Sequence, residues 1–173
     1  MVPPGIEVFT GNGRGKTTAA LGVSLRAAGQ GLRVHIVFFM KGGSDYGEDK
    51  ALCHVPNISV ARFGTGVLVD RQAISTQDRA EAASALAKSR RAVTSGEYDL
   101  VVMDEVNVAL AWGLLPLEGV LSLLRDKPDD VEVILTGRGA PREVVEMADL
   151  ATEMVEVKHP YSRGVHARRG LDY

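Results

Sequence analysis

The chain has 173 residues, with 20 lysines and arginines against 22 aspartates and glutamates, a formal charge of −2. That is the length of one ordinary domain, and it can bury about 70% of its unfolded surface without help from a disulfide or a metal. A near-neutral balance with 45% hydrophobic and 24% charged residues excludes disordered and fibrous chains, and it argues against a duplex-DNA binder, which presents a basic face.

In chain order, Ile6–Thr10 is a short β-rich run that ends in Gly11, Gly13 and Gly15. Lys16–Ala28 then places Ala20, Leu21, Ser24, Leu25 and Ala28 at helical spacing, and Gly29 and Gly31 stop the helix. Arg33–Met40 carries Val34, Ile36, Val37, Phe38 and Phe39, a nearly continuous apolar run of the kind buried on both faces of a parallel sheet. Strand, glycine loop, helix and strand make one βαβ unit. Residues 41–75 are the least regular stretch, with glycines at 42, 43, 47, 64 and 66 and a strand expected only at Ile58–Phe63. Such a segment in a compact domain reads as a functional loop. Ser75 or Thr76 can cap a helix running from Gln77 to Ser95, with Asp78 and Glu81 in its early turns. Tyr98–Met103 is a further apolar β run, closed by Asp104 and Glu105. Leu117–Leu124 is expected as a helix started near Pro116, Val131–Thr136 as a buried strand, Pro141–Ala148 as a short helix and Thr152–Val157 as a last strand. No repeat or linker divides the chain, so residues 1–173 are expected to form one domain.

The start of the sequence shows no cationic segment followed by an apolar one, and no apolar run approaches the roughly 18 residues of a membrane span. A cytoplasmic protein with no membrane or nucleic-acid partner is the expectation. Cys53 is the single cysteine. It can form no internal disulfide or CxxC pair and reads as a small buried apolar residue.

The segment TGNGRGKTT, Thr10 to Thr18, carries the strongest chemical signal. A triphosphate needs many donors close together, and glycines let successive backbone N–H groups turn inward while the following helix presents its positive end. Lys16 would reach the phosphates and Thr17 would offer a hydroxyl to Mg²⁺. The usual pattern GxxxxGK(S/T) asks for glycine at position 10, where this chain has Thr10. A strand before and a helix after supply the context that makes the segment a nucleotide loop.

Leu100-Val-Val-Met-Asp104-Glu105 has the form of an apolar strand ending in acids at the edge where ligands bind in a parallel sheet. Asp104 and Glu105, with Thr17, are the expected Mg²⁺ ligands; an acid capping the next helix is the other reading. Arg138, in the turn after Val131–Thr136, is either a nucleotide contact or a solvated turn residue. Trp112 lies on an apolar stretch and reads as core. His35, His54 and His166 show no metal-ligand spacing. The basic cluster Arg163, His166, Arg168 and Arg169 suits a solvated tail or an anion site equally, and Lys158-His159-Pro160 reads as a surface turn. No Asn-Lys-x-Asp motif occurs, which argues against a GTPase, and the lack of basic surface argues against a DNA motor.

Four strings, FTGNGRGKTTAALG at 9–22, LVVMDEVNVAL at 100–110, LTGRGAP at 135–141 and VKHPYSRGVHARRGLDY at 157–173, resemble the ATP:corrinoid adenosyltransferases of the CobA/BtuR/CobO type. The resemblance runs over almost the entire chain, and the shortened phosphate loop is part of it. It implies an α/β, three-layer P-loop NTPase (RecA-like) fold with a mainly parallel sheet, acting as one nucleotide-binding and adenosyltransferase domain. The implied reaction is attack by Co(I) of a reduced corrinoid, cobalamin or a precursor, on the 5′ carbon of ATP bound in reversed orientation, with release of triphosphate. Lys16, Thr17 and Glu105 would act on the leaving group. Gly11, Asn12, Gly13, Arg14, Gly15, Lys16, Thr17, Thr18 and Arg138 would bind the nucleotide. The family also implies Mg²⁺, a homodimer and room for a flavoprotein reductase as electron donor.

Two departures from the family pattern stand out. Some well-known members carry an extra N-terminal helix that covers the site, whereas here Ile6 already begins the first strand. They also place a Phe and a Trp under the corrin in the segment matching residues 64–69, where this chain has Val67 and Val69. Phe63, Val67 and Val69 are the expected corrinoid contacts, with Phe63 and Tyr46 as candidates for the aromatic role, and Phe and Trp at 67 and 69 are expected to speed adenosylation if the aromatic deficit limits the rate. Two alternatives stay open: an ATP- and corrinoid-binding protein that no longer turns over, and a phosphoryl-transferring ATPase or kinase.

Overall fold

In a computed structural model that describes residues 5–43, 46–158, 164 and 168–171, the chain alternates strands and helices. The elements are β1 (Ile6–Thr10), α1 (Lys16–Gly29), β2 (Val34–Phe38), α2 (Gly47–Leu52), β3 (Ile58–Arg62), α3 (Thr76–Thr94), β4 (Leu100–Asp104), α4 (Val106–Ala111), α5 (Leu117–Arg125), β5 (Glu132–Thr136), α6 (Arg142–Met147) and β6 (Leu150–Glu153). The strands form one six-stranded sheet in the order β3-β2-β4-β5-β1-β6, and every neighbouring pair is parallel. This is the α/β, three-layer arrangement expected from the sequence.

The layers follow from burial. In β2 and β4 all five positions are buried, because each has helices on both faces. On one face Phe9, Ile36, Phe38, Val102 and Ile134 pack with Ala20 and Ala28 of α1 and Leu52 of α2. On the other, Val8, Val37, Met103, Val133 and Leu135 pack against α3, α4, α5 and α6. The long helix α3 starts on a capping box: the Ser75 side chain accepts from the Asp78 N–H, and the Asp78 carboxylate accepts from the Ser75 N–H.

Several sequence expectations are corrected. The last strand lies at Leu150–Glu153 and not at Thr152–Val157; it pairs only with β1 and is exposed at all four positions, so it shows no apolar pattern to mark its ends. Helices α2 and α4, six residues each, went unread because so short a run displays no helical period. Cys53 is exposed, since Leu52 beside it takes the buried position at the end of α2.

Candidate active site

The phosphate loop takes its shape from its glycines. Gly15 sits at φ 115° just before α1, a region that residues with a Cβ rarely enter. Gly13 is needed for space: a Cβ there would lie 2.7 Å from the Met154 carbonyl oxygen and 2.8 Å from the Val155 carbonyl carbon. Its N–H donates to that same Met154 oxygen at 2.6 Å, so the chain leaving β6 backs the loop. Lys16 is 8% exposed, and its ammonium donates to the carbonyls of Gly11 at 2.7 Å and Gly13 at 2.6 Å. A phosphate can take the place of those carbonyls. Burial first, and then the Arg138 charge, pull the Lys16 pKa below its ordinary value, while Glu105 and Asp104 oppose them.

The acids stand at the end of β4, between β2 and β5. Asp104 is fully buried. Its Oδ2 accepts from Lys41 Nζ at 2.7 Å, and its Oδ1 accepts from the Thr136 hydroxyl at 2.6 Å. The same hydroxyl accepts the Glu105 N–H at 2.9 Å, so Thr136 ties the ends of β4 and β5 together. Glu105 itself adopts φ 64° and ψ 12° at the N-cap of α4, a state that costs of order 1–3 kcal/mol for a residue with a side chain and tends to mark functional sites. Burial, then the neighbouring Asp104, raise the Glu105 pKa, and Lys41, Lys16 and Arg138 work against that rise. Lys41 meets the converse: burial disfavours its charge, but Asp104, Glu105 and Glu48 outweigh it and hold the ammonium above its ordinary pKa.

These groups open on a cavity of about 1060 Å³. Of the residues expected to bind nucleotide, Gly13, Arg14, Gly15, Lys16, Thr17, Thr18 and Arg138 line it, together with Glu105. Gly11 and Asn12 stand outside the lining, and Asp104 sits behind it, locked to Lys41 and Thr136. The expected corrinoid contacts are not brought to the cavity. Val67 is 73% exposed, Val69 is 7% exposed and packed in the core, and Phe63 is half-buried against the same core. Leu68, between the two valines, lines the cavity instead.

Sequence reading missed three contributors. Lys41 lies in no motif and Thr136 has no role of its own within LTGRGAP; both matter through strands that are neighbours only in space. Trp112, read as core, packs partly on the core and also lines the cavity. The tail returns to the site as well: Arg14 donates to the Leu171 carbonyl, and Arg168, Gly170 and Leu171 line the cavity beside Lys158. Arg169 is exposed, while His159, Pro160, Arg163 and His166 lie outside the described residues.

The donor set suits a hard divalent cation. Thr17 and Glu105 offer oxygens on the cavity wall, the Glu105 carboxylate makes no side-chain hydrogen bond to the described residues, and Mg²⁺ takes few protein oxygens and keeps several waters. Among the described residues no cluster of three or more His, Cys, Asp or Glu side chains forms a closed metal cage.

A family model described as ATP:corrinoid adenosyltransferase BtuR/CobO/CobP matches residues 4–173. The chain is 39% identical over 168 residues to a corrinoid adenosyltransferase of Escherichia coli strain K12, covering 97% of this chain and 85% of that protein. It is 40% identical over 172 residues to the corrinoid adenosyltransferase of Salmonella typhimurium, at the same coverage of 97% and 85%. A corrinoid adenosyltransferase of Pseudomonas aeruginosa is 36% identical over 167 residues, 96% of this chain and 82% of that one. A matched family over residues 4–173, with a phosphate loop, an acid pair and a large cavity meeting at one sheet edge, makes this chain a member of the ATP:corrinoid adenosyltransferase family and a transferase.

Proposed function

We propose that the cavity holds ATP and a reduced corrinoid together, and that the chain transfers the 5′-deoxyadenosyl group of ATP to Co(I) with release of triphosphate. The observation that carries this reading is the lining of one cavity by both the phosphate loop and a set of apolar groups, Tyr46, Leu68, Trp112, Val155 and Leu171. Its volume of about 1060 Å³ stands just above the roughly 300–1,000 Å³ typical of a pocket for a single drug-sized ligand.

In this reaction the Co(I) electron pair forms the bond to C5′, and the C5′–O bond breaks with its pair leaving on the triphosphate. Cobalt passes from +1 to +3, and no proton moves. The protein therefore needs no general base. It must hold the two reactants in line and stabilise charge growing on the leaving group. ATP lying along the loop in reversed orientation leaves C5′ open to attack. Lys16, Arg138 and the loop N–H groups suit the leaving triphosphate, with Thr18 as a further nucleotide contact. Held by Thr17 and Glu105, with Asp104 behind them, Mg²⁺ would add neutralising charge at the same place. The reading extends to one transferase domain over residues 1–173, a cytoplasmic homodimer and a flavoprotein reductase as electron donor. The family match supports the first of these, and the resemblance alone supports the others.

The test is product analysis under anaerobic conditions with ATP, Mg²⁺ and chemically reduced cob(I)alamin. Triphosphate formed one-for-one with a light-sensitive adenosylated corrinoid is the expected result. ADP or phosphate released regardless of corrinoid would replace the reading with phosphoryl transfer. ATP binding without any product would leave a binding protein.

A further inference from the structure

We propose that Arg62 is a positioning residue that clamps Tyr46 into the cavity wall on the corrinoid side. The inference rests on the function proposed above. Arg62 ends β3, and its register partner on β2 is Phe38, which is fully buried. The guanidinium carbon lies 3.9 Å from the Phe38 ring centroid and 4.8 Å from that of Tyr46. The planar cation thus lies over both a fixed ring and a ring of the cavity lining, within cation–π range of each.

A second grip comes from the edge of the same group. Arg62 Nε donates to Asp49 Oδ1 at 2.7 Å, Nη2 donates to the same oxygen, and a Glu48 carboxylate oxygen lies 3.8 Å away. Glu48 and Asp49 are in the first turn of α2, and Tyr46 is its N-cap. A six-residue helix has little stability of its own, and only Leu52 of α2 is buried. Arg62 therefore supplies much of what fixes α2 against the sheet, and with it Tyr46, Gly47 and Glu48, all of which line the cavity.

The side of the cavity follows from strand order. The phosphate loop leaves β1, while Tyr46 follows β2, three strand steps away in the sheet, or roughly 14 Å at the usual spacing. With the triphosphate at the loop, the corrinoid takes the Tyr46 side of the cavity in this reading, and the separate KM values for the two ligands test that placement. Lysine could keep the ion pair with Asp49 but not the planar stack.

The experiment is steady-state adenosylation with ATP and cob(I)alamin varied separately, for Arg62→Met, Arg62→Lys, Tyr46→Leu and the Arg62→Met/Tyr46→Leu double variant. Arg62→Met should raise the KM for the corrinoid about tenfold and leave that for ATP within about twofold. Arg62→Lys should fall between, and Arg62→Met should add nothing once Tyr46 is Leu. Trp112, the single tryptophan, lines the cavity, so an unchanged response of its emission to ATP shows that the variants keep the nucleotide half intact. Should Arg62→Met fail to fold, Arg62→Lys and Tyr46→Leu decide by the same split between the two KM values. An equal rise in the KM for ATP, additive effects of the two changes, or an unchanged corrinoid KM would overturn the clamp. Loss of adenosylation in the unaltered protein would instead overturn the function on which it rests.

Discussion

Replacing Lys41 with Met tests the buried ion pair behind the cavity. The Asp104 side chain is 1% exposed and that of Lys41 is 18% exposed. Without Lys41, a carboxylate stays among the ends of β2, β4 and β5 with the Thr136 hydroxyl bond and no bonded cation among the described residues. Breaking a buried pair from one side costs about 3–5 kcal/mol, because the remaining charge is uncompensated. Asp104→Asn should behave differently. The amide oxygen can still accept from Thr136, and Lys41, already on the cavity wall, can turn its ammonium into water. About 1.5–3 kcal/mol is expected there, the order of one lost hydrogen bond to a charged group.

Urea unfolding followed by far-UV circular dichroism near neutral pH reads both values, as shifts in midpoint at constant slope. In a thermal scan the Lys41→Met loss corresponds to roughly 10 °C for a chain of this size. The double variant should cost less than the sum of the single ones, since removing both charges removes the uncompensated one. Equal costs for the two single variants, or a Lys41→Met cost below about 1 kcal/mol, would refute the claim that Asp104 depends on Lys41 for its burial.

Three further outcomes follow from the same geometry. His35 is buried, stacked on Tyr98 and 2.7 Å from the Ser59 hydroxyl, and burial, then the Lys88 charge, push its pKa down to about 4. Its folded pKa lies below its unfolded value of 6.5, so stability is full above pH 6.5 and falls by roughly 3 kcal/mol as the pH drops from there to 4; a chemical-denaturation series across that range should show the slope, and His35→Phe should flatten it. Gly13→Ala drives a methyl into the Met154 and Val155 backbone, and calorimetric titration should find ATP binding weakened about tenfold or more. Val69→Trp overfills the core and should destabilise by about 1–3 kcal/mol in urea, whereas exposed Val67→Phe should stay within about 0.5 kcal/mol. The pair of aromatics is therefore not a simple gain of function here, and unchanged stability in Val69→Trp would show that residue 69 faces outward after all.

How much of this was legible in the sequence depended on whether the physics was local. Strands β2 and β4 could be read because burial on both faces demands unbroken apolar runs, and α3 because Ser75 and Asp78 close its capping box within four residues. The phosphate loop and the acids could be read because each needs only a short segment of given residue types. Lys41 and Thr136 could not, since their value comes from β2, β4 and β5 lying side by side, and strand order is not written in any one of them. The segment holding Val67, Leu68 and Val69 has no regular period, so nothing in the sequence indicates that Leu68 turns to the cavity and Val69 to the core.

The parallel sheet explains why these pieces meet at all. In such a sheet every strand delivers its following residue to the same edge. Four adjacent strands do so here: β1 presents the loop with Lys16, β5 presents Thr136 and Arg138, β4 presents Asp104 and Glu105, and β2 presents Lys41. Three cations thus stand among two carboxylates, one of which, Asp104, is already paired with Lys41. Among the described residues the cavity lining is positive, with Arg14, Lys16, Lys41, Arg138, Lys158 and Arg168 against Glu48, Glu105 and Glu156. That is the sign a departing triphosphate needs, and the water-poor setting that depresses the Lys16 pKa and raises that of Glu105 also strengthens each of these charges toward a ligand. The chemistry asks for no base, and Glu105, set among Lys41, Lys16 and Arg138, serves as an oxygen donor instead. What the edge provides is a fixed field along one side of the cavity and an apolar wall, braced through Arg62, along the other.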